Sequence, residues 1–512
     1  MRDPGIAARR LREEGILKGL TLLVLVLAAA GLSLYRFRID LTRDRSFTLS
    51  PASRALASIL PEPVRVTYYR SAALADLHPG IRMAQDLLTE LEARGSGKIQ
   101  VLIRDVPDKP GRLEALGILP RQLQVESGGE ARIATVYAGV VVEYLDDFRV
   151  LPSVLGPERL EYEVVKAIRS LTSGVVPVAA LRDGDGDKDP EGDFRLLRAA
   201  LVRAGYEVRV SSRGTEVEPD VSVLFILGNA ALGEVDVDYI NRYLESGGGV
   251  FAAVRGVLVN PDRNLEARPL GPDPFLDLLE SYGIGVRREL VLDTSSLSVP
   301  FQVQGPDGRT TYRYVRYPHW VSVDRENVDS SHPAAAGYSG LDLYWPSPLE
   351  ISDRAGPGAR ILVRSSTRAW RQTRDFATAP EEESRYRDEE EATRGQYVLA
   401  AALPPSGGRK GRLVVAGSSD FLTDLMGMSE SEGNALFAVS AADWLCSGDD
   451  LPLPSAGAAP RRLRLPEEDA LRRRTVFAVY VFNILVVPSL AGLAALLRSA
   501  RRSRREREGR AA

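Results

Sequence analysis

The sequence predicts an α/β protein whose globular body lies between two membrane-crossing helices. Three observations carry that expectation. Apolar runs sit near both ends, Ile16 to Leu34 and Thr475 to Leu497. Each is close to the roughly 20 residues that a helix needs to cross a bilayer. Between them, short β-rich runs alternate with amphipathic stretches of helical period, the pattern of β-α-β units. Finally, the roughly 440 residues between the runs are too many for one core and call for two or three domains.

The runs are flanked on their outer sides by arginine: Arg9, Arg10 and Arg12 before the first, Arg498, Arg501, Arg502, Arg504, Arg505 and Arg507 after the second. Basic residues in short flanks favour the cytoplasm, so both ends are expected inside and the body outside. Residues 1–18 carry +2 and residues 498–512 carry +5 against −3 for the chain, which leaves −10 for residues 19–497. An acidic body excludes nucleic acid as the partner, because phosphate binding needs a basic face. The arginine-rich tail reads as a stop-transfer flank beside anionic lipid. Ala28, Ala29 and Ala30 keep a cleaved signal peptide open for the first run, although its long charged n-region favours an uncleaved anchor. The expected divisions are a cytoplasmic N-terminus (1–15), a span (16–35), a first domain (36–172), a second domain (173–452), a linker (453–474), a second span (475–497) and a basic cytoplasmic tail (498–512).

In the first domain, Ser50 before Pro51 is a helix start, with an N-cap and a proline at the first helical position. Val64 to Tyr69 alternates as a strand. Ile81, Ala84, Leu87, Leu88 and Leu91 form one stripe of a helix over Ile81 to Arg94. Lys98 to Ile103 is a second strand and Leu113 to Leu116 starts a short helix. Ala131 to Val136 and Gly139 to Tyr144 read as a hairpin. The order β-α-β-α-β-β is that of a thioredoxin-like domain. Its redox position after the first strand, Arg70-Ser71-Ala72-Ala73, holds no cysteine, which excludes thiol chemistry there.

A helix over Pro157 to Leu171 leads into the second domain. Strands over Val175 to Leu181, Glu207 to Val210, Val221 to Leu227 and Val250 to Val254 alternate with helices over Phe194 to Ala204 and Val235 to Ser246, implying a parallel sheet covered on both faces. Pro274 to Tyr282 is a further helix. Residues 284–370 are rich in strand-like runs. Residues 371–394, with Glu381-Glu382-Glu383 and Asp388-Glu389-Glu390-Glu391, read as a solvated acidic loop. Gln396 to Leu403 and Arg412 to Ala416 resume the sheet. Asn434 to Leu445 is a helix, and Leu451 to Pro466 a linker.

Few residues suggest chemistry. Asp183, Asp185 and Asp187 alternate with glycine and are weak candidates for a calcium site. Counted from Asp183, an EF-hand loop would need glycine and glutamate where Lys188 and Phe194 stand, so a solvated acidic turn is the better reading. Gly247-Gly248-Gly249 precedes a strand rather than a helix, so it reads as a helix stop and not a phosphate loop. His78, His319 and His332 are too scattered for a metal cluster. No cofactor is expected. The nearest approach to a nucleophile turn is Gly417-Ser418-Ser419-Asp420 after a strand, without an evident histidine, and Cys446 lies at a helix end. Asp420 and Asn434 read as loop-fixing residues. Tyr312, Arg313, Tyr314, Arg316, Tyr317, His319 and Trp320 form an aromatic-basic stretch, read as a strand with alternating faces or as a binding surface.

Several motifs taken together resemble the GldG-type family of gliding-motility-associated auxiliary subunits of ABC transport systems. They are Ile39-Asp40-Leu41-Thr42, Phe47-Thr48-Leu49-Ser50, Val66-Thr67-Tyr68-Tyr69-Arg70-Ser71, Leu160-Glu161-Tyr162-Glu163 with Ala167-Ile168, Tyr243 to Gly248, and Val414 to Phe421 with Gly417, Asp420 and Phe421. Gly433-Asn434 and Asp443-Trp444-Leu445 complete the series. The resemblance implies a thioredoxin-like domain without redox cysteines and a domain similar to class I glutamine amidotransferases (flavodoxin-like) without a catalytic triad. It also implies a multi-span ABC permease and a separate ABC ATPase as partners, at a bacterial inner membrane with the central domains extracytoplasmic and membrane lipid or an envelope ligand nearby. The expected function is a non-enzymatic auxiliary or substrate-binding-like subunit. The alternative is an envelope hydrolase or amidotransferase-like enzyme using the turn Ser418 to Asp420.

Overall fold

The computed structural model describes residues 49–447 apart from 51–52, 55, 57–59, 73–78, 108–109, 128–129, 158, 305–309, 337–339 and 430–431. The chain divides into two units, Met1–Gly457 and Ala458–Ala512, and the second lies wholly outside the described residues.

Val64, Val66 and Tyr68 are buried on one face of β1 (Val64–Arg70), the period-2 pattern of a half-covered strand. After it come α1 (Pro79–Arg94), β2 (Ile99–Asp105), α2 (Gly111–Ala115), β3 (Arg121–Ser127), β4 (Glu130–Val136), β5 (Ala138–Tyr144), β6 (Asp147–Leu151) and α3 (Leu160–Ser173). The sheet order is β2-β1-β5-β6, with β2 parallel to β1 and the other neighbours antiparallel. The α1 stripe of Ile81, Ala84, Leu87, Leu88 and Leu91 packs with Val140, Val142, Val164 and Ile168 in one core.

The expected hairpin of Ala131–Val136 with Gly139–Tyr144 does not form. Only Tyr137 separates β4 from β5, too little chain to reverse direction. β4 instead pairs with β3, and β5 passes into the main sheet beside β1.

The second domain contains β7 (Val178–Asp183), α4 (Arg195–Arg203), β8 (Glu207–Val210), β9 (Val221–Leu227), α5 (Glu234–Ser246), β10 (Gly249–Ala253), β11 (Val257–Asn260), β12 (Glu266–Pro269) and α6 (Pro274–Ser281). Strands then dominate: β13 (Ile284–Val286), β14 (Leu290–Leu292), β15 (Ser296–Gln304), β16 (Thr310–Asp324), β17 (Gly340–Tyr344), β18 (Leu349–Ile351), β19 (Arg360–Arg364) and β20 (Trp370–Gln372). The last elements are α7 (Glu390–Thr393), β21 (Val398–Leu403), β22 (Leu413–Ala416) and α8 (Gly433–Ser447).

The large sheet runs β8-β7-β9-β10-β22-β21-β18-β13, with β19 also paired to β21. β8, β7, β9, β10 and β22 are mutually parallel, and the strands beyond β22 are antiparallel. β9 is apolar on both sides because both sheet faces are covered. Val223, Phe225 and Leu227 enter one core with Phe251, Phe421 and Phe437, while Leu224 and Ile226 enter the other with Ile240, Leu244 and Phe275. α5 stops where Gly247 takes φ +116°, as the glycine run suggests.

The expected fold class is corrected. The described chain is a mixed α/β molecule of many strands and few helices, not a thioredoxin-like plus amidotransferase-like pair. Four short antiparallel strands extend the large sheet, β15, β16 and β17 form a sheet of their own, and β3–β4 is an extra ribbon. Among the described residues no helix is long and apolar enough to cross a membrane. The runs assigned as spans, 16–35 and 475–497, lie outside the described residues, as do Asp40, Leu41 and Thr42.

The acidic stretch 371–394 is also more ordered than its composition suggests. Tyr386 is buried, its hydroxyl donates to Ala379 O at 2.8 Å, and Trp370 Nε1 donates to Tyr386 O at 2.8 Å. One buried aromatic thus anchors a segment whose other side chains are mostly charged.

Candidate functional site

The chain leaves β7 toward β8 on one side and returns as β9 on the other. The crevice at the carboxyl ends of β7 and β9 is therefore the switch point at which open α/β sheets bind ligands. Four loops meet there, following β7, β9, β10 and β22.

In this protein the crevice is filled by the chain's own charges. Arg255, 3 % exposed, follows β10 and pairs with Asp185 through Nη2, with Nε donating to Oδ1 at 3.2 Å. Its Nη1 lies 3.8 Å from Asp420. Lys188 bridges the same two carboxylates, at 2.9 Å from Asp185 and 3.3 Å from Asp420. Burial pushes the Asp420 carboxyl up, but Arg255 and Lys188 outweigh it and hold it below the usual carboxylate range.

Backbone and amide groups complete the plug. Arg255 N donates to Asn229 Oδ1 at 2.9 Å, and Asn229 Nδ2 donates to Asp273 at 2.6 Å. Asp273 also caps α6 by accepting from Phe275 N and Leu276 N. The two glycines at the mouth are required by close approach. A Cβ on Gly184 would stand 2.1 Å from Gly228 O, and one on Gly228, whose φ is +92°, would stand 2.1 Å from the Asp185 carboxylate.

The aspartates named from sequence therefore separate. Asp183 is buried and accepts from Asp185 N at 2.9 Å and Gly186 N at 2.8 Å, and burial raises its pKa. Asp185 belongs to the ion network, and Asp187 is exposed. The turn is half-buried rather than solvated, because Arg255 supplies a countercharge 70 residues downstream. Among the described residues no group of three or more His, Cys, Asp or Glu is placed to hold a metal ion.

The turn after β22 is equally committed. Ser418 is fully buried and its hydroxyl donates to Tyr344 O at 2.7 Å, which removes it as an available nucleophile. A Cβ on Gly417 would lie 2.1 Å from Ser347 O. Phe421 stacks against Phe251. Asn434 ties β17 to the turn after β22: its Oδ1 accepts from Asp342 N at 2.9 Å, and Nδ2 donates to Asp342 O and Phe421 O at 2.8 Å. Trp444 is buried, with the His332 ring at 4.8 Å. In the first domain Leu49 is buried and Ser50 Oγ accepts from Ser53 N at 3.1 Å, as a helix start requires. Ser50 N also donates to Glu161 at 2.7 Å, so two distant motifs meet.

A second polar cluster joins the domains. Asp443 on α8, 3 % exposed, accepts from Tyr162 on α3 and from Tyr206 at 2.7 Å, and Lys166 lies 2.7 Å away. Burial pushes the Lys166 ammonium down to about 8 and raises the Asp443 carboxyl well above its ordinary range. Sequence reading misses Lys188, Asn229, Arg255 and Asp273 as site residues. The one visible signal is an arginine directly after the apolar run Val250 to Val254.

Residues 177–441, the domain that carries this crevice, match the family described as an ABC-type uncharacterized transport system. The chain belongs to that family, whose members are auxiliary to ABC transport systems and are thereby associated with transporter components. Residues 43–143 match a family described as a domain of unknown function. A protein of Borreliella burgdorferi, described as uncharacterized, is 22 % identical over 502 residues, covering 94 % of this chain and 97 % of its own. Among solved structures, the mmIFT52 N-terminal domain aligns with 53 % of this chain and 98 % of its own, at 16 % identity and a TM-score of 0.33. A ThuA-like protein from Bacteroides uniformis aligns with 55 % and 95 %, at 11 % identity and a TM-score of 0.31. Scores this low carry no conclusion about fold or function.

Proposed function

We propose that the protein is a non-catalytic auxiliary subunit of a bacterial ABC-type transport complex, of the gliding-motility type its motifs resemble. Its described domains work beside the extracytoplasmic face of a permease whose nucleotide hydrolysis is supplied by a separate ATPase. The observation that carries this reading is the crevice. Where an α/β enzyme or nucleotide binder keeps an open switch point, this chain closes it with Arg255, Lys188, Asp185 and Asp420. The buried hydroxyl of Ser418 supports the same conclusion.

The test is affinity purification of the full chain from membranes of its own host. A permease and an ATPase are expected to co-purify in fixed ratio. Recovery of neither under conditions that keep other ABC complexes whole overturns the reading.

A further inference from the structure

The aromatic-basic stretch around Arg316 has no part in the crevice, and it borders a second cavity. This space measures about 470 Å³ and lies between the start of β15, the middle of β16, β20 and the turn before α7. Arg316, Arg368 and Arg387 line it, with Thr294, Ser296 and the ring of Trp370.

Three features of the lining agree. The guanidinium groups of Arg316 and Arg368 have neither an ion pair nor a hydrogen bond among the described residues, although acidic side chains outnumber basic ones in the chain. Second, the hydroxyls of Thr294 and Ser296 are buried and have no hydrogen-bond partner. Buried hydroxyls in native proteins are nearly always satisfied, so two orphans on one cavity wall point to an absent acceptor. Third, the register of β15 against β16 jumps from Ser296↔Val321 to Ser298↔Arg316, an irregularity of the kind that re-aims side chains at sites.

The acidic residues on the wall do not cancel these donors. Asp293 already accepts from Ser295 N at 2.9 Å, Ser366 N at 2.7 Å and Ser366 Oγ at 2.6 Å. Glu383 lies 3.7 Å from Arg313. Arg387, paired with Glu390 at 3.3 Å, stacks on Trp370 with its guanidinium 5.6 Å from the ring centroid and closes one side of the space.

We propose that this cavity binds an oxyanion of the phosphate class, gripped by the forks of Arg316 and Arg368 and by the hydroxyls of Thr294 and Ser296. Arginine forks match the geometry of tetrahedral oxyanions and form charge-assisted bonds with them. A phosphate monoester and an anionic lipid headgroup present the same chemistry. The inference stands on the cavity and is independent of the transport reading.

The test is calorimetric titration of the purified full chain with inorganic phosphate, and sedimentation with vesicles of phosphatidylglycerol or of phosphatidylcholine alone. Saturable binding of phosphate, or of phosphatidylglycerol vesicles only, is expected, and the two arms separate the free anion from the headgroup. The double variant Arg316→Ala/Arg368→Ala should weaken binding at least tenfold. Both side chains are exposed, so the variant should fold, and an unchanged far-UV spectrum checks this. Thr294→Val/Ser296→Ala should weaken it less. Absence of saturable binding in both arms, equal heat from chloride at matched ionic strength, or undiminished affinity in the arginine variant each overturns the proposal.

Discussion

Arg255 shows how one side chain decides what the crevice is. Its guanidinium is nearly inaccessible, and among the described residues its charge is balanced by Asp185 and Asp420. Removing one partner of a buried pair costs up to about 3–5 kcal/mol when the other charge is left uncompensated; here Lys188 still reaches both carboxylates and keeps part of the compensation. Arg255→Ala should lower the unfolding free energy by up to that much, and adding Asp185→Leu should recover part of it. A loss below about 1 kcal/mol in urea titration would contradict the closed network. His319 gives a pH signature. It is fully buried, and burial pushes its pKa from 6.5 down to about 4. Between those values the unfolded chain holds a proton that the folded chain does not, so stability falls as pH drops from 6.5 through 4, by up to about 3 kcal/mol. His319→Phe should flatten that part of the stability–pH curve.

At the scale of elements, the helix α8 and the segment before α7 depend on single clamps. Asn434 at the start of α8 makes three hydrogen bonds, to strand β17 and to the turn after β22, and Asn434→Ala should destabilise by about 1–3 kcal/mol, read by thermal melting. Tyr386→Ala should expose residues 371–394 to limited proteolysis while the sheet core stays resistant; equal resistance in wild type and variant would show that the tyrosine is not the anchor. The same contrast explains what was legible in the sequence. The α1 stripe and the apolar run of β9 follow from local period and length, which a sequence displays directly. The burial of Asp185 follows from Arg255, and the order of residues 371–394 follows from Tyr386 packing against Tyr317 and His319. Those are contacts between distant positions that no local pattern records. Likewise, β4 and β5 both look like strands, yet only the shortness of the link at Tyr137 reveals that they do not pair. Of the candidate site, the turn at Ser418–Asp420 and the Asp183–Asp187 run were visible as residues, but their partners were not.

For the molecule as a whole, the described domains meet through Asp443, Tyr162, Lys166 and Tyr206. This buried cluster couples α3 to the region 177–441 that matches an ABC transport family, through α8. Coupled domains unfold together, whereas weakly joined ones unfold in separate steps. Wild-type protein should therefore melt in one calorimetric transition over the described domains, and Asp443→Ala should split it in two. A single unsplit transition in the variant would assign the coupling to apolar contacts instead.

The seam also contains the chain's one cysteine. Cys446 Sγ lies 3.8 Å from the Tyr206 hydroxyl, and burial pushes the thiol up to about 12. A thiol held so far from its thiolate is inert at neutral pH, because the thiolate is the reacting species. The protein thus carries an internal gauge of its own opening. Maleimide labelling should be slow in the native chain and accelerate when the domains part, so that a single covalent tag, counted by mass, dates each excursion without any engineered probe.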